Sequence, residues 1–123
     1  MGYGSASNEN LTSASIREAE TELRRAIAAS PLLAPAYATL GGLLAARDGP
    51  SLEALALIQR AIALDPSAVG HQVTLGQVLL MSGDAAEAQR VAERARATAR
   101  TATERETVER LLQAALDRAD RPR

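Results

Sequence analysis

Residues 34–66 read APAYATLGGLLAARDGPSLEALALIQRAIALDP, and this stretch decides the fold. It predicts an apolar helix over 35–47, a Gly-Pro turn at 49–50, a second apolar helix over 51–64 and a terminal proline. Proline suits the first turn of a helix because its missing N–H would be unpaired there, whereas a proline beyond the last turn ends the helix. Ala and Leu, which are strong helix formers, supply most of the remaining positions.

Four further segments carry the same helical signal. Their apolar residues recur three and four positions apart, which is typical of helices that bury one face. The segments are 15–30, 68–81, 84–99 and 103–119. Capping boxes of the form Ser/Thr/Asp-x-x-Glu open three of them, at Ser15, Asp84 and Thr103. Runs of β-branched and aromatic residues with alternating polarity are missing, so the sequence predicts an all-α chain of about six helices.

Two features predict how these helices pack. Gly41 and Gly42 lie inside a helix, where each costs roughly 1 kcal/mol relative to alanine, and close approach of a neighbouring helix would explain them. The helix over 51–64 is apolar almost all round, with only Glu53, Gln59 and Arg60 as polar residues. Such a helix should be covered on several sides, so we expect it at the centre of the core.

The helices also form a repeat. Its matches are Leu40-Gly41 with Leu75-Gly76, Pro31 with Pro66, and the alanine pairs 19 and 26, 54 and 61, and 88 and 95. The leucine-glycine pairs are 35 residues apart, and the alanine pairs are separated by 35 and then 34 residues. A fixed period of this length indicates stacked supersecondary units.

This pattern resembles the tetratricopeptide repeat, whose period is 34 residues. Tyr37 lies where that family often has Trp, and the Leu-Gly pairs stand at the family's own Leu-Gly positions. The third unit departs from the pattern, with Gln72 in place of the aromatic and no proline after Ala99. The resemblance implies an α-solenoid of antiparallel helix pairs wound as a right-handed superhelix.

The repeat predicts one domain over residues 13–119, between a flexible segment at 1–12 and a frayed end at 120–123. Within it we expect a half repeat at 15–31, full repeats at 34–66 and 68–100, and a capping helix at 103–119. Solenoids need end units with a polar outer face, which the last helix would supply.

Composition argues against several function classes. The 14 basic and 15 acidic residues give a net charge of −1, unlike the basic face typical of nucleic-acid binders. Cys is absent and His71 is the only histidine, so the usual groups for metal binding and nucleophilic catalysis are missing. Acidic residues 104, 106 and 109, and arginines 90, 94, 96 and 100, are interpreted as solvated, paired faces. We therefore expect no enzyme activity and no cofactor.

The remaining function is recognition of another protein. In the resembling family, the first helices of the units line a concave groove that takes a peptide or a helix. By that resemblance the partner-binding residues here would be Ala38, Gly42, Ala45, Ala46, Val73, Gln77, Leu80 and Met81. These positions lack the Lys, Arg and Asn with which some members bind acidic C-termini, so we expect an apolar or amphipathic partner segment. Packing of Leu80 and Met81 beneath the last helix is the alternative for those two residues.

Two other functions stay open at this point. The chain could be a self-associating structural module, in which the end of the first helix and the apolar helix 51–64 meet a second copy. It could also be the accessory region of a larger enzyme. No signal peptide or membrane-spanning segment is seen, which favours a soluble, cytoplasmic protein without membrane insertion.

Overall fold

The computed structural model describes residues 5–120, and the side chains of residues 13–120. Six helices and no strand occur over this range, so the predicted all-α architecture is confirmed. The helices are α1 (Ser5–Ala29), α2 (Ala34–Asp48), α3 (Leu52–Leu64), α4 (Val69–Met81), α5 (Ala85–Thr98) and α6 (Ala102–Ala119). The predictions for residues 1–4 and 121–123 lie outside the described residues, and the division into repeat units stays a prediction.

Helix α1 begins ten residues before the start predicted near Ser15. Ser15 and Glu18 therefore lie inside a helix, where the predicted capping box cannot form because a capping residue needs non-helical dihedral angles. No proline or glycine occurs between Ser5 and Ala29, so the local sequence contains nothing that would interrupt the helix. Residues 5–12, predicted to belong to a flexible segment, are helical.

Helix α6 begins with a complete capping box, but two residues earlier than predicted. The Thr101 hydroxyl accepts a hydrogen bond from the Glu104 amide at 3.0 Å, and Glu104 Oε1 accepts from the Thr101 amide at 3.1 Å. Thr103, the predicted first residue of the box, lies within the helix. Thr101-x-x-Glu104 and Thr103-x-x-Glu106 both fit the pattern of a capping box. The chain uses the first, in which Glu104 also accepts from the Arg100 amide.

Helix α5 has only half of its predicted capping box. The Asp84 carboxylate accepts from the Glu87 amide at 3.2 Å. The Asp84 amide donates to the Leu79 carbonyl at 2.9 Å instead of to Glu87. Because that backbone bond already satisfies the Asp84 N–H, the Glu87 carboxylate accepts from Arg90.

The core lies around α4, which corrects the expectation that α3 would be central. Helix α4 packs against α2, α3, α5 and α6, and seven of its thirteen residues are buried. Among the described helices, α3 packs against α2 and α4, and its buried residues form the single stripe Ala54, Ile58 and Ala61. Leu52, at the start of α3, is 88% exposed. The apolar residues of a helix therefore set an upper limit to the surface that it can bury. The number of neighbouring helices decides how much of that surface is buried.

Small residues let paired helices approach closely, as the repeat predicts. Ala54, Ala61, Ala88 and Ala95 are completely buried where α3 and α5 cross their partners. The two turns that link α2 to α3 and α4 to α5 each contain a glycine with positive φ, Gly49 at 89° and Gly83 at 85°. Glycine adopts this conformation without the steric penalty of a Cβ. It is the first linker residue after α2 and the second after α4, so the two turns differ in the position of the glycine.

Candidate functional site

Helix α2 places its four predicted groove residues at different depths. Ala38 and Ala45 are buried, with 6% and 1% of their surfaces exposed, and Gly42 is half-buried. Ala46 is exposed. A Cβ at position 42 would lie 3.5 Å from Thr74 Cγ2, so α2 and α4 are adjacent along this line. Of these four residues, Ala46 and part of Gly42 are therefore accessible to a partner.

The four predicted groove residues of α4 also differ in burial. Val73 and Leu80 are buried, with 6% and 7% of their surfaces exposed. Gln77 is exposed and Met81 is 50% exposed. The eight predicted residues thus lie on two adjacent helices. Four of them are buried, and the other four are partly or fully accessible.

Helix α6 adds residues that the sequence analysis missed. A cleft of about 300 Å³ opens between α4 and α6. It is lined by Gln77, Leu80, Thr107, Arg110, Leu111 and Ala114. The sequence analysis treated α6 only as an end cap. The signal that could have identified these residues is helix order, since α6 follows α5 as α4 follows α3 and so takes the place of a first helix.

The cleft combines an apolar lining with one cation. Leu80 and Leu111 are buried, Ala114 is half-buried, and the exposed Arg110 lies at the rim. Among the side chains that the structure describes, no carboxylate lies within ion-pair distance of Arg110. Near the end of α6, Arg118 Nη1 donates to the Leu80 carbonyl at 2.8 Å and joins the last turns of α4 and α6. This side of the site can accept apolar side chains beside a negative charge.

Ion pairs hold α1, α2 and α3 together beside the groove. The Glu20 carboxylate on α1 bonds Arg47 of α2 and its own neighbour Arg24, and Arg24 in turn reaches Glu53 of α3 at 3.3 Å. Hydrogen bonds from Arg47 and Arg24 lower the pKa of Glu20. Hydrogen bonds from Arg47 also lower the pKa of Asp48. Both carboxylates therefore stay charged at neutral pH. Glu20 links α1 to α2, Arg24 links α1 to α3 through Glu53, and Asp48 pairs within α2.

Helices α5 and α6 are linked by a two-pronged ion pair. Arg96 Nε and Nη2 donate to the two carboxylate oxygens of Glu109 at 2.7 and 2.9 Å. This geometry lowers the pKa of Glu109 and raises that of Arg96. Elsewhere on α5, Arg90 and Arg94 pair with Glu87, at 2.7 and 3.8 Å. Among these α5 arginines, Arg96 thus connects two helices, whereas Arg90 and Arg94 pair within α5.

The structure also places the polar residues that were considered for catalysis or metal binding. His71 is half-buried, and its Nε2 is shielded without a hydrogen-bond partner among them. Glu104 caps α6 and Glu109 binds Arg96. Over the same residues no set of three or more His, Cys, Asp or Glu side chains could hold a metal ion. None of the helices from α1 to α6 combines the length and the hydropathy that crossing a bilayer requires.

Comparison with known proteins identifies the fold. No protein-family model and no curated protein matches the chain. The structure of the TPR2B domain of yeast Sti1 in its complex with pHsp70 is similar, with a TM-score of 0.77 over 89% of this chain and 90% of that chain. The sequence identity is 20%, so the similarity concerns the fold. The predicted tetratricopeptide-like helical repeat is confirmed.

Proposed function

We propose that this protein is a non-catalytic interaction module that binds an apolar or amphipathic segment of a partner protein. The binding surface is the groove formed by α2 and α4, extended by the cleft between α4 and α6. It comprises the accessible residues Gly42, Ala46, Gln77 and Met81, with Thr107, Arg110 and Ala114 from α6. Ala38, Ala45, Val73 and Leu80 support this surface from beneath.

The observation that carries this proposal is the cleft between α4 and α6. Its volume of about 300 Å³ and its apolar side chains, Leu80, Leu111 and Ala114, suit one or two apolar side chains of a helical segment. Gln77 and Thr107 offer hydrogen bonds, and Arg110 favours an acidic residue next to the apolar ones. The TPR2B domain with the similar fold was solved in a complex with pHsp70, so this architecture is compatible with binding another protein.

The test is selection of ligands by the full chain. A display library of 16-residue peptides is selected on the immobilised protein, and the dissociation constants of enriched peptides are measured in solution. We expect enriched sequences with apolar residues at helical spacing of three and four, and with an acidic residue nearby. Binding should weaken at least tenfold in a variant that carries Ala46→Glu and Gln77→Glu, since a helical ligand with acidic residues would meet two new negative charges.

The matched control places the same charges on α5. Ala86 and Ala97 are exposed there, so Ala86→Glu with Ala97→Glu changes the net charge about as much without touching the groove. This control should bind as tightly as the unchanged chain. Val73→Glu is unsuitable for the test, because Val73 is only 6% exposed and a buried charge would unfold the protein. Equal loss in both variants, or none in either, would contradict groove binding.

Self-association through the outer side of α1 has less support. That side is lined by Ala14, Arg17, Glu18, Thr21, Glu22 and Arg25. Five of the six are polar or charged, whereas stable homodimers bury mostly apolar surface. The polar face instead suits an end of the solenoid that remains in water.

A further inference from the structure

A second cleft, of about 280 Å³, opens between α3, α4 and α5 and shares no residue with the groove. It is lined by Gln59, Ile62, Gln72, Leu75, Val91 and Arg94. Leu75 and Val91 are buried and Ile62 is half-buried, so the cleft has an apolar floor. Arg94 lies at its edge, with 64% of its side chain exposed and its ion-pair distance to Glu87 as long as 3.8 Å.

One repeat period earlier in the chain, the corresponding positions include an aromatic residue. At offsets of 34 or 35, the six lining residues correspond to Arg24, Ile27, Tyr37, Leu40, Leu57 and Arg60. Tyr37 Oη donates to the Pro31 carbonyl at 2.7 Å, and Arg60 Cζ lies 6.0 Å from the centre of the ring. The tyrosine ring thus occupies the place that corresponds to the second cleft.

Gln72 reproduces the hydrogen bond of Tyr37 but not its bulk. Gln72 Nε2 donates to the Pro66 carbonyl at 3.3 Å, as Tyr37 Oη does to Pro31. Gln72 Oε1 is shielded from solvent and accepts no hydrogen bond from a described residue. The glutamine therefore leaves both unfilled space and an unpaired acceptor where the preceding unit has a ring.

We propose that this second cleft binds the aromatic side chain, Trp or Tyr, of a partner protein. Its apolar floor suits the faces of a ring, and Arg94 can lie over the ring as Arg60 lies near Tyr37. The volume of the second cleft is at or below the lower end of the range for small-molecule sites, but it suits a single anchoring side chain. Trp and Tyr are common among such anchoring side chains. The occupant is thus a protein side chain rather than a free aromatic compound.

The test uses methyl NMR on the full chain. N-acetyl-tryptophanamide, N-acetyl-tyrosinamide and N-acetyl-leucinamide are titrated separately, followed by a 12-residue peptide with one Trp and its Trp→Leu counterpart. We expect saturable ring-current shifts at the methyl groups of Ile62, Leu75 and Val91 with the aromatic probes only. The chain has two tyrosines and no Phe or Trp, so such shifts are easily assigned to the ligand. The Trp peptide should bind several-fold more tightly than the amino-acid amide if the natural source is a protein.

Two variants complete the test. Gln72→Tyr should fill the cleft from within, raise the unfolding temperature and abolish the shifts. Arg94→Gln, at an exposed position, should leave folding unchanged and raise the dissociation constant for the indole probe several-fold.

The proposal is overturned if no saturable shift reaches these methyl groups, if the leucine probe shifts them equally, or if shifts persist in folded Gln72→Tyr. Tighter binding of the free amide than of the peptide would overturn the protein source. Since no groove residue is changed, these outcomes are independent of the proposed function.

Discussion

Leu111 of α6 packs directly over Gly76 of α4: a Cβ at position 76 would lie 2.5 Å from Leu111 Cδ2. The equivalent Gly41 of α2 instead faces α3. A Cβ there would lie 2.6 Å from Ile58 Cγ1 and 2.8 Å from the Ala54 carbonyl oxygen. The two Leu-Gly pairs match in sequence, yet one glycine accommodates a flexible side chain and the other a helix backbone.

This difference predicts unequal effects of alanine at the two positions. Gly41→Ala should lower the free energy of unfolding by about 1–3 kcal/mol, because the backbone of Ala54 cannot move without displacing α3. Gly76→Ala should lower it by less, since Leu111 can change rotamer and the helix gains roughly 1 kcal/mol in propensity. Urea unfolding of both variants checks the order, and a larger loss for Gly76→Ala would contradict it.

Gly42→Ala is the control for these two substitutions. Its new Cβ would meet Thr74 Cγ2 at 3.5 Å, an ordinary van der Waals distance. The gain in helix propensity should then raise the free energy of unfolding by about 0.5–1 kcal/mol. A decrease on urea unfolding would mean that α2 and α4 are closer than described.

The position of the α6 capping box predicts a contrast between two threonines. Thr101→Ala removes the hydroxyl that accepts from the Glu104 amide and should reduce stability by about 1 kcal/mol. Thr103→Ala, two residues later, lies within the exposed first turn and should change stability by less than about 0.5 kcal/mol. Thermal unfolding followed by circular dichroism distinguishes them. A larger loss for Thr103→Ala than for Thr101→Ala would favour the register that begins at Thr103.

The hydrogen bond of Tyr37 should also be measurable. Tyr37→Phe keeps the ring beside Arg60 but removes the bond to the Pro31 carbonyl, and we expect a loss of about 0.5–1 kcal/mol. Tyr37→Leu, which also removes the ring, should lose more. Urea unfolding of the pair separates the two contributions, and an unchanged midpoint for Tyr37→Phe would show that water replaces the bond without loss.

Acid should destabilise the fold through its paired carboxylates. The pKa values of Glu20, Asp48, Glu104 and Glu109 are lowered by hydrogen bonds from arginines or backbone amides. A lowered pKa in the folded state means that the unfolded chain binds protons first. The stabilisation is therefore complete above the ordinary carboxyl pKa and is lost as the pH falls through the folded pKa.

The variant Glu109→Gln tests one of these groups. Its free energy of unfolding should fall less between pH 7 and pH 3 than that of the unchanged chain, because it lacks the pairing with Arg96. Glu106→Gln is the control, because it removes the same charge from α6 without removing an ion pair to a described residue. Since the Arg96 pair is exposed, 1 M salt should reduce the difference. Identical pH profiles for all three proteins would contradict a stabilising pair.

Sequence patterns predicted helix ends most accurately where the signal comes from nearby residues. The ends of α2, α3 and α4 agree with prediction to within one residue, since proline, glycine and the helical apolar spacing act within a few positions. The predictions of a helix start at Ser15 and Thr103 were wrong, because the capping motif is present there but lies inside a helix. A capping pattern is compatible with a helix start but does not require one. Whether the helix begins there depends on the surrounding residues.

The candidate site could be predicted only in part. Helical spacing brought residues of α2 and α4 to adjacent surfaces, but it did not distinguish the exposed Gln77 from the buried Val73. Arg110 was not among the predicted residues because α6 lacks the Leu-Gly pair that marks α2 and α4. Burial depends on which helix lies alongside, and that neighbour is remote in sequence.

By itself, the sequence determined the helical class and the number of helices in the described part of the chain. Those properties follow from the local spacing of apolar and small residues and from turn residues such as Gly49 and Pro66. Only the tertiary structure decided that α4 is the centre, that Gly76 accommodates Leu111, and that a cleft remains where Gln72 replaces a ring. These outcomes depend on the positions of several helices at once, which no single stretch of sequence encodes.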